Sequence, residues 1–247
     1  MGLRQLLKRS NAAVGLVNDL RRIRAKLGRE SPHRAVEAYS SAHAIRKLHL
    51  GAGTGSLPGW LNTDIDILPD GRGVVYLDAT RTFPIETGTF DYVYSEHMIE
   101  HIPWDAGLLM LRECRRVLKP GGVIRIATPD LAVLLQLYGG CPDPAGQQYI
   151  RWIVDRYLNG ASPYKASFVI NNAFRNWGHQ FLYDGDLLEM ALQNTGFTRI
   201  RRCNPGESTD EHLRGIECHG TNVREQAMAA FETMVFEAER PLEARGG

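Results

Sequence analysis

Lys47-Leu-His-Leu-Gly-Ala-Gly-Thr-Gly55 is the stretch on which the reading of this chain turns. A short apolar run ends at Leu50, and Gly51, Gly53 and Gly55 follow at once. Glycine can adopt φ > 0, and it lets a ligand approach the backbone with no Cβ in the way. A strand that empties into such a turn fits a ligand-binding crossover. The glycine run alone fits a plain loop equally well, so the segments that follow must decide.

Leu61-Asn-Thr-Asp-Ile-Asp66 reads as a second strand ending in carboxylates, and Val74 to Thr80 as a third with Asp78 at its carboxyl end. Phe90 to Ser95 reads as a fourth. Pro103 then opens a helix with an apolar stripe of Leu108, Leu111, Val117 and Leu118, which Lys119-Pro-Gly-Gly122 stops. Val123 to Thr128 is a fifth strand. Parallel sheets bind ligands outside the carboxyl ends of their strands. A glycine loop and two acids at three successive strand ends therefore form one constellation. An acid at the tip of strand two is placed to accept hydrogen bonds from ribose hydroxyls, and Asp64 and Asp66 both qualify.

Taken together, Leu50-Gly-Ala-Gly-Thr-Gly55, the acid after strand two, Leu77-Asp-Ala79, Phe90 to His101 and Arg116-Val-Leu-Lys-Pro-Gly-Gly-Val-Ile-Arg-Ile126 resemble the successive motifs of class I methyltransferases of the "methyltransferase domain 11" type. The resemblance covers residues 46 to 135 well, and continues weakly through Leu187 to Phe197. It implies a Rossmann-like, doubly wound, mostly parallel seven-stranded α/β sheet with the last strand antiparallel. It implies S-adenosylmethionine as cofactor, with Gly51, Ala52, Gly53 and Gly55 under the methionine part and Asp64 or Asp66 on the ribose. Asp78 and Ala79 would lie at the adenine and Ser95 at the methionine end. One departure is plain: only Ser56-Leu-Pro-Gly-Trp60 separates Gly55 from Leu61, so the first crossover helix must be a single turn or absent.

Two rivals fail on their own motifs. A dinucleotide fingerprint G-x-G-x-x-G needs glycine where Ser56 stands. His97-Met-Ile-Glu-His101 matches the H-x-x-E-H of a zinc protease, but that needs a continuous helix, and Pro103 removes the N–H that would bond Ile99. No metal is expected.

The remainder bounds the organisation. Residues 1–45 read as a basic helical arm, 46–221 as the methyltransferase domain with a helical lid inserted over about 136–183, and 222–247 as a C-terminal helix (Val223 to Ala238) and tail. With 247 residues, net charge +1 and 43% hydrophobic residues, nothing in the totals points to nucleic acid. Cys114, Cys141, Cys203 and Cys218 form no C-x-x-C pair, which predicts a reducing, cytoplasmic setting. No apolar run spans a membrane. The lid stretch holds Trp152, Tyr157, Tyr164, Phe168, Phe174, Trp177 and His179. Aromatics with Asn and Arg suit a sugar or other small hydroxylated metabolite, so O-methylation is the expected reaction. N-methylation, a glycan or lipid-linked acceptor, and a catalytically weak cofactor-binding scaffold are the alternatives. His97, His101 and His179 are candidate bases or acceptor-positioning groups. His212, Glu217 and His219 read as an edge-strand surface. The arm and the C-terminal helix are candidate surfaces for a partner or oligomer.

Overall fold

A computed structural model describes residues 31–66, 73–139, 143–158 and 163–243. The chain runs through helix α1 (Pro32–Ala42), strands β1 (Lys47–Leu50), β2 (Leu61–Asp64), β3 (Val75–Tyr76) and β4 (Phe90–Glu96), and a 3-10 turn at Ile99–His101. Helix α2 (Trp104–Val117) and strand β5 (Leu118–Pro129) follow, then α3 (Leu131–Gln136), α4 (Pro144–Tyr157), α5 (Ala166–Arg175) and α6 (Gly185–Asn194). The chain ends with β6 (Thr198–Cys203), α7 (His219–Asn222), α8 (Gln226–Glu232) and β7 (Thr233–Glu239). No described helix is long and apolar enough to cross a membrane.

All seven strands form one sheet in the order β3-β2-β1-β4-β5-β7-β6. β1 to β5 pair in parallel, and β7 is antiparallel to both β5 and β6. The strand order reverses at β1, between β2 and β4, and that reversal opens a crevice at the carboxyl ends where a ligand can enter. This is the Rossmann-like α/β sheet the motifs imply. The inner strands are buried on both faces. Leu48, Leu50, Phe90, Val93, Ile124 and Ile126 are fully enclosed, with Met110, Leu111 and Val117 of α2 packed on them. The spacing of those α2 residues is what makes the helix: one apolar stripe needs a face to bury.

The first crossover has no helix. Asn62 does the organising instead. Its Oδ1 accepts from Leu57 N–H at 2.8 Å and His49 Nδ1 at 3.0 Å, and its Nδ2 donates to the carbonyls of Leu57 at 3.0 Å and Trp60 at 3.1 Å. One buried amide thus satisfies the polar groups that a helix would have paired.

Two expectations are corrected. Val223 to Ala238 is not one helix: only Gln226–Glu232 is helical, and Thr233–Glu239 is β7, buried between β5 and β6. Ala, Met and Glu favour helix locally, but the buried sheet slot outweighs that weak preference. Within α8 only Met228, Ala229 and Glu232 are buried, and Gln226, Ala227 and Ala230 are exposed. Residues 204–218 form no strand, so His212, Glu217 and His219 lie on no edge strand. The arm over residues 1–30 lies outside the described residues, as does Cys141.

The segment after β5 is helical and has its own apolar centre. Leu134, Leu137, Tyr149, Ile150, Ile153, Val154, Val169 and Met228 cluster apart from the main core. This places a second layer above the carboxyl end of the sheet.

Candidate active site

The glycine loop sits at the carboxyl end of β1. Gly51 (φ +68°) and Gly53 (φ +49°) both occupy the left-handed region. A Cβ on Gly51 would stand 2.4 Å from Met98 Cγ, so that glycine is required by packing. A Cβ on Gly53 would meet none of the described residues within 4 Å, so among them the backbone there faces open space. Glycine at Gly53 keeps a cradle clear, and this is the observation that fits a cofactor.

Asp64 caps the loop at the end of β2. Its carboxylate accepts from Gly53 N–H at 2.8 Å and Asp66 N–H at 2.7 Å. Burial raises its pKa, and those two amides oppose the rise. Asp66 is exposed beside it. Asp78 follows β3 as a turn residue: Oδ1 accepts from Thr80 N–H at 3.0 Å and Thr80 Oγ1 at 2.6 Å, and Arg81 Nε lies 3.1 Å from Oδ2. Asp64 therefore stands beside the glycine loop and Asp78 after β3, each held by local donors, and neither of them nor Asp66 lines the cleft that the loop borders.

A small cleft of about 180 Å³ is lined by His49, Gly51 to Thr54, Glu96, His97, Cys218, His219 and Asn222. Ser95 does not line it. Ser95 is fully buried and its hydroxyl has no hydrogen-bond partner. Side chains alternate along a strand, so the next residue, Glu96, faces the cleft in its place. Glu96 is a residue the motif reading passed over. Its carboxylate accepts from the backbone N–H of Cys218 at 3.0 Å and of His219 at 2.9 Å, and from Cys218 Sγ at 3.0 Å. It fastens the 218–219 segment over the glycine loop. The fit is close: a Cβ on Gly55 would stand 2.6 Å from Cys218 Sγ. Burial, then the Glu96 carboxylate, push the Cys218 thiol up to about 12.

A second cavity of about 380 Å³ lies under the helical layer, lined by His97, His101, Trp152, Tyr157, Trp177, His179, His219 and Glu232, among others. All three candidate histidines of the sequence reading reach it. Of the lid aromatics, Trp152, Tyr157 and Trp177 form its walls, with Trp152 and Trp177 each edge-on to Tyr157 at 5.5 and 5.0 Å. Tyr164, Phe168 and Phe174 are exposed and line no part of it. Trp177 has φ +60°, a costly conformation for a bulky residue, and Gly178 follows at +84°.

His97 and His219 line both spaces, with rings stacked at 3.7 Å. His97 also has φ +46°, which breaks the continuous helix a zinc-protease motif requires. Its Nε2 is 3.0 Å from Thr233 Oγ1, and its Nδ1 is 3.3 Å from Glu100 Oε1. Burial opposes charge on His97, but Glu100 outweighs it and the pKa is raised. Glu100 is completely buried and its Oε2 accepts from Thr128 Oγ1 at 3.0 Å. Burial alone would raise its pKa; His97 outweighs that and holds it down. His219 turns Nε2 toward Glu232 Oε1 at 3.6 Å, and Glu232 Oε2 accepts a short hydrogen bond from Tyr149. His179 donates Nδ1–H to Ala173 O at 2.8 Å, and burial lowers its pKa. His219 and Glu232 reach the site from far along the chain, and no spacing in the sequence announces them.

Residues 48–126 match the family model described as "Methyltransferase domain". Among curated proteins none matches this chain. Similar solved structures include a possible histamine N-methyltransferase from Thermotoga maritima, at 15% identity, covering 85% of this chain and 91% of that one with a TM-score of 0.45. A SAM-dependent methyltransferase from Archaeoglobus fulgidus matches at 16% identity over 85% and 94%, with a TM-score of 0.44. A phosphoethanolamine N-methyltransferase from Haemonchus contortus matches at 17% identity over 84% of this chain, TM-score 0.43; this chain spans 52% of that protein's length.

Proposed function

We propose that this chain, which carries a class I, S-adenosylmethionine-dependent methyltransferase domain, methylates a hydroxyl of a sugar or similar small hydroxylated metabolite. The observation that carries the reading is the shared wall of His97 and His219. On one side lies the cleft at the glycine loop, and on the other the aromatic cavity. A donor and an acceptor seated in the two spaces would meet at that wall.

S-adenosylmethionine, when bound, supplies an electrophilic methyl group for in-line transfer. In this reading Gly51 to Gly53 cradle its amino-acid end, with Gly55 keeping the loop tight against Cys218. Asp64 accepts from its ribose, with Asp66 as the alternative, and Asp78 and Ala79 stand at the adenine. Glu96 holds the 218–219 segment, and Ser95, which the resemblance puts at the methionine end, is buried behind the cleft. Trp152, Tyr157 and Trp177 offer flat apolar walls suited to the faces of a sugar ring.

A hydroxyl must lose a proton to become a good nucleophile, and a base near neutral pKa serves best. His219 is the candidate this geometry adds. In this reading Nε2 carries its proton toward Glu232, 3.6 Å away, and Nδ1 takes the proton of the acceptor. Both ring nitrogens of His97 face partners, so His97 positions its stacked neighbour. His101 and His179 position the acceptor. Orientation of this kind supplies much of the rate in group transfer.

The test is incubation of purified protein with methyl-labelled S-adenosylmethionine and a panel of sugars and hydroxylated metabolites. Calorimetry with S-adenosylhomocysteine runs in parallel. Label should pass to a hydroxyl acceptor, and Gly53→Arg should abolish cofactor binding without unfolding the protein. Transfer only to amines would overturn the O-methyl assignment. No cofactor binding by the folded wild-type chain would overturn the whole reading.

A further inference from the structure

Beside the aromatic cavity, which His101 and His179 line, Glu100, His101 and His179 bring three potential ligand atoms within 4.8 Å of one another. We propose that these three residues hold a divalent first-row metal ion such as zinc or cobalt, at the acceptor end of the site.

Glu100 is the reason to look. It is 0% exposed, and among the described residues its Oε1 makes no hydrogen bond; the charge nearest to it is His97 Nδ1 at 3.3 Å. A buried carboxylate oxygen left in that state is costly unless a positive partner faces it. Three imidazoles surround this one. His101 Nε2 is 4.0 Å away and His97 Nδ1 3.3 Å away. His97 is the protein's own positive partner there, and an ion would take over that part.

The tautomers suit ligation. A carbonyl only accepts, so His179 must carry its proton on Nδ1, facing Ala173 O at 2.8 Å. Its Nε2 is left with the lone pair. Metal-binding histidines characteristically have their other N–H fastened to a carbonyl or carboxylate in this way. Glu100 is fastened too, through Thr128 Oγ1 at 3.0 Å on its second oxygen. The His101 and His179 rings meet edge to face at 77° with centroids 4.9 Å apart, so their lone pairs do not lie in parallel planes. Binding would draw the ligand atoms together to separations of about 3.4 Å, as tetrahedral zinc bonds of ~2.1 Å require. His101, at 35% side-chain exposure, has room to swing.

His97, His219 and Glu232 form a second such cluster, and geometry argues against it. The two rings are stacked with planes only 16° apart, 3.7 Å between centroids. Lone pairs lying in two parallel planes do not aim at a common ion. Two imidazoles and a carboxylate with open positions favour imidazole-loving transition ions over magnesium. Resting on the methyltransferase reading, the ion's role is to hold an acceptor hydroxyl and lower its pKa, as a bound cation does for water.

The experiment uses the full chain after chelator treatment, titrated with cobalt(II) and followed by visible absorption, with zinc competition and no cofactor present. One equivalent should bind with the intense bands of a low-symmetry nitrogen and oxygen site. His101→Ala and His179→Ala should each weaken binding at least ~10-fold, the scale of ligand-shell losses. His219→Ala should change it less than twofold, and magnesium should not compete. If His179→Ala fails to fold, His101→Ala on the more exposed ring decides. No stoichiometric binding by the folded wild type, or losses confined to His219→Ala, would overturn the proposal. So would equal binding by every variant. None of these outcomes depends on methyl transfer, so failure of the ion site and failure of the enzymatic reading are distinguishable.

Discussion

Replacing Arg125 by methionine asks how the segment over the glycine loop is moored. Arg125 lies in β5 with 0% of its side chain exposed, between Glu217 at 2.5 Å and Glu237 at 2.5 Å. Its Nη1 also donates to Glu207 O at 3.0 Å. One buried guanidinium thus ties both ends of the 207–217 loop to the sheet, and Cys218 and His219 follow directly. Methionine keeps length and apolar bulk but removes the charge. Breaking a buried ion pair by deleting one partner costs about 3–5 kcal/mol, because the other is left buried and uncompensated. Here Glu237 keeps Arg201, and Glu217 keeps only the Gly206 N–H at 3.0 Å. One bare carboxylate places the loss near the lower end, about 3 kcal/mol. With a urea slope of about 3 kcal/mol/M for a domain of this size, the unfolding midpoint should fall by about 1 M. Adding Glu217→Gln should recover much of that fall by removing the bare charge. S-adenosylhomocysteine binding, measured by calorimetry, should weaken in the single variant. A midpoint shift under about 0.3 M would refute the account, since a fully desolvated pair cannot vanish so cheaply.

Two further outcomes follow from the site. Cys218, with its thiol held up to about 12, should resist iodoacetamide at pH 8, where only roughly one molecule in ten thousand carries the reactive thiolate. Peptide mapping by mass spectrometry should find it unmodified in the native protein and alkylated after unfolding; rapid native labelling would show that Glu96 does not face it. Trp177→Gly should lower stability by about 1–3 kcal/mol. Burial of roughly half the indole, about 100 Å² at ~25 cal/mol/Å², and ring contacts worth about 0.5–1.5 kcal/mol outweigh relief of a left-handed backbone, worth about 1–2 kcal/mol. In a methyl-transfer assay the same variant should raise the acceptor KM several-fold with S-adenosylhomocysteine affinity unchanged; an unaltered KM would take Trp177 out of the acceptor wall.

The parts legible in the sequence are those where local chemistry and tertiary position agree. β1, β2, β4 and β5 are buried apolar runs bounded by turn residues, and the glycine loop is demanded by backbone geometry at Gly51 and Gly53. The missing crossover helix was readable from length alone. β7 was not readable, because Thr233-Met-Val-Phe-Glu-Ala-Glu239 follows a helix-favouring stretch and owes its strand to the slot between β5 and β6. The histidine cluster was half readable. His97, His101 and His179 stand out as polar residues near strand ends and in the lid. His219 and Glu232 come from a segment whose route over the site is set by Arg125 and Glu96, contacts of long sequence separation with no periodic trace. Glu96 and Glu100 were in plain view within Ser95-Glu-His-Met-Ile-Glu-His101, and two acids at the tip of an enclosed strand are themselves a signal.

The placement of β7 has a consequence for how the chain comes into being. β5 ends at Pro129, yet its antiparallel neighbour ends at Glu239, and β6 touches the sheet only through that neighbour. At the usual pace of synthesis, roughly 5–20 residues per second, the open side of β5 waits some 5–20 s for its partner. During that interval Val123 to Thr128 present an unpaired apolar edge, the kind of surface on which newly made chains join one another. A nascent chain stalled before Thr233 would carry most of the glycine loop's framework and still be prone to aggregate, and its last strand would serve as the closing element of the whole sheet.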